Sequence, residues 1–90
     1  MISYMEAFKQ IIEISGGQTS LVRLLKSIKP DSKIQQGHIN NWINRDFAVP
    51  SEWVIPCCQA VNWQKTPHQI CPELYPHPDD GLPIHLRSAA

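Results

Sequence analysis

The chain has no surplus of charge of either sign: eight Lys and Arg stand against eight Asp and Glu in 90 residues. It therefore lacks the global basic field that advertises a nucleic-acid partner. It also lacks any apolar run approaching the roughly 18 residues that a membrane-spanning helix needs. The N-terminus, Met1-Ile2-Ser3-Tyr4-Met5-Glu6, has neither the basic stretch nor the apolar core of a secretory signal. A cytoplasmic protein with no membrane partner is expected. Cysteine is scarce, with Cys57 and Cys58 adjacent and Cys71 alone. An odd number with an adjacent pair argues against a disulfide framework and for free thiols. No internal repeat and no convincing strand pattern is present. A chain this short holds one hydrophobic core, which excludes a multi-domain reading.

The charge that is present is unevenly placed. Up to Arg45, six basic residues (Lys9, Arg23, Lys26, Lys29, Lys33, Arg45) meet three acidic ones (Glu6, Glu13, Asp31), a surplus of +3. From Asp46 onward, Lys65 and Arg87 meet Asp46, Glu52, Glu73, Asp79 and Asp80, a surplus of −3. The neutral total hides a basic first half and an acidic second half.

Ser3-x-x-Glu6 has capping-box spacing, and Met5, Phe8, Ile11 and Ile12 follow at helical intervals, predicting a first helix that ends near Ser15. Gly16-Gly17 stops it, because glycine accepts the left-handed conformation that terminates helices. A second helix begins near Gln18 and carries Leu21, Leu24, Leu25 and Ile28 as an apolar stripe. Lys29-Pro30-Asp31-Ser32-Lys33 then reads as a loop. In a third helix from Gln36, at roughly 100° per residue, Gln36, Gly37, Asn40, Asn41 and Asn44 share one side, while Ile39, Trp42 and Ile43 share the other. Asparagine is a mediocre helix former, so local propensity does not explain three of them on one stripe.

Pro50-Ser51-Glu52 predicts a further helix, with Pro56 either kinking it or opening a second one through Val61. Thr66-Pro67 is an N-cap followed by proline in the first helical position, giving a short helix through Ile70. Pro72, Pro76, Pro78 and Pro83 crowd the end of the chain around Asp79-Asp80-Gly81. The expected fold is all-α: a compact four- to five-helix domain over residues 1–71 and an extended or partly disordered Pro-rich tail over 72–90.

Two apolar-faced helices before a third that shows amides outward fit a helix-turn-helix. Asn and Gln amides pair bidentately with the adenine edge in the major groove, while Lys and Arg neutralise phosphates. The bland alternative is an ordinary solvated helix face. Cys57, Cys58, His68 and Cys71 lack zinc-ligand spacing, and no residue pattern supplies a nucleophile with a base and oxyanion donors. Buried, inert cysteines are the better account, and neither an enzyme nor a cofactor is expected. Trp42 is expected in the core, and so are Trp53 and Trp63, with one of these two partly exposed as the alternative.

Gly16-Gly17-Gln18-Thr19-Ser20-Leu21 followed by Ile34-Gln35-Gln36-Gly37-His38-Ile39-Asn40-Asn41-Trp42-Ile43-Asn44-Arg45 resembles the helix-turn-helix of small Cro-like phage regulators. It resembles in particular the YdaS-like group of prophage repressors, which implies a lambda repressor-like fold. Val49-Pro50, Ile55-Pro56, Val61 and Cys71-Pro72-Glu73-Leu74-Tyr75-Pro76 resemble that group's downstream pattern, which closes on an Arg-Pro-Asp-Ile-Tyr-Pro-like signature. The likeness covers residues 6–76, and the ordered combination with the closing signature is its specific part.

The resemblance implies a repressor that binds double-stranded DNA sequence-specifically, as a homodimer on a palindromic operator. It implies that Gln18 touches a phosphate and braces Gln36, which reads a base. Gly37, Asn40 and Asn41 would face the groove, Arg45 would meet a phosphate, and Thr19, Lys33, Gln35, His38 and Asn44 complete the expected contact set. Three departures stand out. Val22 replaces the usual small alanine, and the turn is elongated around Lys26 to Lys33, where Lys26, Lys29 and Lys33 are expected either to clamp a phosphate or to form a solvated loop. Cys71 replaces the signature's arginine. The competing expectation is an antitoxin-like module that binds a protein partner through its apolar C-terminal half and the tail from Leu74 to Leu86.

Overall fold

The computed structural model describes residues 4–46 and 48–87. Ser3, the expected cap of the first helix, and residues 88–90 of the expected tail lie outside the described residues. Five helices follow one another: α1 (Tyr4–Ser15), α2 (Gln18–Ile28), α3 (Gln36–Asn44), α4 (Ser51–Ala60) and α5 (Pro67–Ile70). A 3-10 turn spans Ile84–Leu86, and no strand occurs among the described residues. The all-helical expectation is met.

The corner between α1 and α2 is set by two consecutive glycines. The Gly17 N–H donates to the Ile12 carbonyl at 2.9 Å and the Gly16 N–H to the Glu13 carbonyl at 3.1 Å, the paired bonds of a Schellman stop. Gly16 has φ +96° and Gly17 φ +117°, conformations that a Cβ makes unfavourable. Gly17 is also the N-cap of α2, and its carbonyl accepts the first bond of that helix from Leu21. One dipeptide thus closes α1, opens α2 and fixes where Gln18 and Thr19 point.

The core takes the apolar stripe of each helix: Ala7, Phe8 and Ile11 from α1, Leu21 and Leu25 from α2, Ile39 and Trp42 from α3, and Trp53, Val54, Cys57 and Cys58 from α4. α2 packs against α1, α3 and α4, and α5 against α1 and α4. Phe8, Trp42 and Trp53 form an aromatic chain across α1, α3 and α4, with tilted rings 6.0 and 6.2 Å apart. Tilted aromatic pairs add about 0.5–1.5 kcal/mol each beyond the burial of their area. Trp42 and Trp53 are buried, whereas Trp63 is half-buried against the core.

Pro56 neither ends α4 nor opens a second helix, which continues through it to Ala60. Proline removes one helical hydrogen bond, and the burial of Trp53, Val54, Cys57 and Cys58 on both sides of it holds the helix together. At the end of α4 the Schellman pattern recurs without glycine. The Trp63 N–H donates to the Cys58 carbonyl at 2.9 Å and the Asn62 N–H to the Gln59 carbonyl at 3.0 Å, with φ +63° and +54°. α5 forms as expected: the Thr66 hydroxyl accepts from the Gln69 N–H, and Gln69 Oε1 accepts from the Thr66 N–H at 2.8 Å.

The segment after Cys71 does not run extended. The His68 ring lies 2.8 Å from the Tyr75 carbonyl, and Asp80 Oδ2 accepts from the His77 N–H at 2.9 Å to close a turn. Gly81, at φ +79°, lies so close to Pro67 that an added Cβ would come within 2.8 Å of its ring. That approach brings Leu82 into burial, and Arg87 Nε donates to the Leu82 carbonyl at 2.9 Å. Proline spacing signalled the absence of helix; the contacts that fold the segment back are long-range and leave no periodicity.

Candidate nucleic-acid interface

α3 begins at an unusual cap. Gln35 is extended, its carbonyl accepts from the His38 N–H at 3.0 Å, and its own N–H donates to His38 Nδ1 at 3.0 Å. A histidine thus does the work that Glu or Gln does in a capping box. Nδ1 acts as an acceptor, so the neutral ring carries its proton on Nε2. Ile39 and Trp42 are buried and Ile43 is half-buried, which turns the opposite side of α3 to solvent.

Gln36, Gly37, Asn40, Asn41 and Asn44 are all exposed on that side, and Arg45, the C-cap, is exposed just beyond it. Gln36, Asn40 and Asn44 recur at four-residue spacing and so form one row. The row is internally tied, because Asn44 Nδ2 donates to Asn40 Oδ1 at 2.7 Å. At its N-terminal end Thr19 Oγ1, on the first turn of α2, donates to Gln36 Oε1 at 3.4 Å. The brace to Gln36 therefore comes from Thr19 and not from Gln18, which is half-buried one residue earlier. The Gly16-Gly17 corner brings the exposed Thr19 to Gln36, a contact across 17 residues that no local pattern announces.

The linker between α2 and α3 is anchored. Lys29 caps α2, its N–H donating to the Leu25 carbonyl, and the Ser32 N–H closes a turn onto the Lys29 carbonyl. Ile34 is buried and pegs the linker into the core one residue before the α3 cap. The three lysines expected there either as a clamp or as a solvated loop have different settings. Lys26 lies in the last turn of α2, and Lys29 Nζ sits 4.3 Å from the centroid of the Trp53 ring, a cation–π contact. Lys33 is exposed beside the start of α3. A groove of about 700 Å³ separates the linker from α3 and the start of α4, with Lys29, Asp31, Lys33, Glu52, His38 and both Trp42 and Trp53 on its walls. Two cations face two carboxylates there, so the groove has no net sign.

No family model, curated protein or solved structure matches the chain. What this surface offers rests on its own atoms: a row of amides and a few cations on a helix with a rigid backing. The cysteines lie elsewhere. Cys57 and Cys58 are buried in α4, and burial pushes the Cys57 thiol far up and the Cys58 thiol to about 12. Burial, then the neighbouring Cys71 and Cys58, raises the Tyr75 phenol. Thiols held protonated are poor nucleophiles and poor metal ligands. Among the described residues no three His, Cys, Asp or Glu converge on a point that would hold a metal ion.

Proposed function

We propose that this chain is a sequence-specific double-stranded DNA-binding transcription regulator, a Cro-like repressor of prophage type, that reads the major groove with α3. The observation that carries the reading is the exposed row Gln36, Asn40, Asn44, with Gly37 and Asn41 beside it, on a helix whose other side is buried through Ile39 and Trp42. Amides on a rigid helix match the donor and acceptor pattern of base edges in the major groove, which is wide enough to admit a helix. Lys33 and Arg45 flank the row and suit phosphates. A lambda repressor-like arrangement and a cytoplasmic site of action belong to the same proposal. Two copies on a palindromic operator supply the affinity that one small reading surface lacks. With a formal charge of zero the chain binds DNA weakly without regard to sequence, so its specificity rests on amide contacts and on pairing two subunits.

The test is a fluorescence-polarisation or gel-shift assay against the DNA flanking the chain's own gene. Specific binding that survives excess competitor and disappears in the double variant Gln36→Ala, Asn40→Ala, with its circular dichroism unchanged, supports the repressor. No specific binding by folded protein at any flanking site overturns it. A second reading, an antitoxin-like protein-interaction module, is favoured by the exposed apolar side chains Leu74, Ile84 and Leu86 in the C-terminal segment. It predicts a stable complex with the product of an adjacent gene that Ile84→Asp and Leu86→Asp abolish, and it is rejected if those variants bind that product as well as the parent does.

A further inference from the structure

Gly37 is at odds with the helix that contains it. It lies in the first turn of α3 and is exposed, and a Cβ placed on it would meet nothing within 4 Å. Its backbone is not in the left-handed region that glycine serves at Gly16, Gly17 and Gly81. Neither packing nor conformation within the chain calls for glycine there, yet glycine weakens a helix relative to alanine. Close approach of something from outside is the remaining reason for a bare backbone at an exposed helical position.

The neighbouring amides say what that something offers. Asn40 Oδ1 accepts from Asn44 at 2.7 Å, and Gln36 Oε1 accepts from Thr19 at 3.4 Å. With both oxygens turned to partners in the chain, Gln36 and Asn40 present their NH2 groups outward, on either side of Gly37 in the sequence. Two amides that lead with their donors match an edge that offers two acceptors. In the major groove guanine shows the N7 and O6 acceptors side by side, whereas adenine sets its N6 donor next to N7.

Resting on the DNA-binding reading above, we infer that α3 enters the groove by its first two turns, with the backbone of Gly37 against the duplex and Gln36 and Asn40 donating to guanine. Asn44 and Thr19 are positioning residues that hold the two amide oxygens away from the bases. This departs from the adenine pairing that isolated Asn and Gln side chains would suggest.

Selection of bound duplexes from a randomised double-stranded library tests it, with the full chain and the variants Gly37→Ala and Asn44→Ala. The expected result is enrichment of sites with guanine at two neighbouring positions. Gly37→Ala should raise Tm by about 2–6 °C while weakening binding to the selected duplex at least about tenfold, opposite signs that a purely structural role does not produce. Asn44→Ala frees the Asn40 oxygen and should move the preference at one position from guanine to adenine with the fold intact. The inference falls if Gly37→Ala binds the selected duplex as tightly as the parent, if the parent selects adenine at these positions, or if Asn44→Ala leaves the guanine preference unmoved. Failure of the folded parent to enrich any duplex overturns the DNA-binding reading itself, and this inference with it.

Discussion

The chain turns two corners with the same pair of backbone hydrogen bonds, once through Gly16-Gly17 and once through Asn62-Trp63. The first uses residues suited to positive φ, so the corner is encoded where it occurs. The second places a tryptophan in a conformation that disfavours it by on the order of 1–3 kcal/mol. Trp63 stays there because its ring is held half-buried against the core. The two corners divide the molecule functionally. The first belongs to the basic half and positions Thr19 against Gln36 at the exposed amide row. The second belongs to the acidic half and serves burial of α4 and attachment of α5. Local encoding serves presentation of polar groups, and tertiary packing serves the half that hides its thiols.

The largest way to break that contrast is alkali. Cys57 and Cys58 stay protonated in the folded chain well above the ordinary thiol value of 9.0, because burial penalises the thiolate. The unfolded chain ionises first. Their contribution to stability is complete below pH 9.0 and is lost as pH rises toward about 12. Urea midpoints should fall across that window by the equivalent of about 1.4 kcal/mol per pH unit for each thiol. The double variant Cys57→Ala, Cys58→Ala should flatten the slope, and an equal slope in both proteins would remove the thiols as its cause.

Next in size is an exchange at the corners themselves. Gly17→Ala should destabilise by about 1–3 kcal/mol, because φ +117° with ψ 173° is open essentially to glycine alone. Asn62→Gly should stabilise by about 0.5 kcal/mol, since it relieves the same kind of penalty at the other corner. Chemical denaturation of the two variants settles it, and a loss at both positions would mean that Asn62 contributes a contact beyond its conformation.

The smallest expected effect separates two lysines of one linker. On the proposed DNA-binding reading, Lys33→Glu should lower the salt dependence of binding by about two phosphate contacts' worth of slope at most, through lost attraction and added repulsion. Lys29→Glu should leave that slope unchanged and instead cost about 0.5–1 kcal/mol of stability by removing the cation–π contact with Trp53. Polarisation titrations across a salt series with denaturation of both variants would distinguish them, and a flattened slope in Lys29→Glu would restore Lys29 to the clamp.

The helices were legible wherever a signal is local. Glycine pairs, the Thr66-Pro67 start and the split of α3 into Ile39-Trp42 and Gln36-Asn40-Asn44 faces each rest on residues within a turn or two of one another. Features that depend on distant partners left no such trace. The continuity of α4 through Pro56 comes from burial on both sides of it, and the folded course of residues 72–87 comes from the approach of Gly81 to Pro67. The candidate surface shows the same division. Its amide row could be placed by periodicity, whereas the brace from Thr19 and the diversion of Lys29 onto Trp53 could not, because each joins side chains from different elements.

Ile34 gives the linker two segments with different tolerance to change. Residues 30–33 run from the α2 cap to a buried anchor, so insertions among them alter chiefly the path of a surface loop, at small entropic cost. Between Ile34 and Gln36 there is a single residue, the helix cap Gln35. One residue added there would rotate α3 by roughly 100° relative to its anchor and turn Ile39 and Trp42 off the positions at which they fill the core. The peg thus acts as a phase reference: lineages descended from this chain are free to lengthen the loop, but they must keep the count from Ile34 onward.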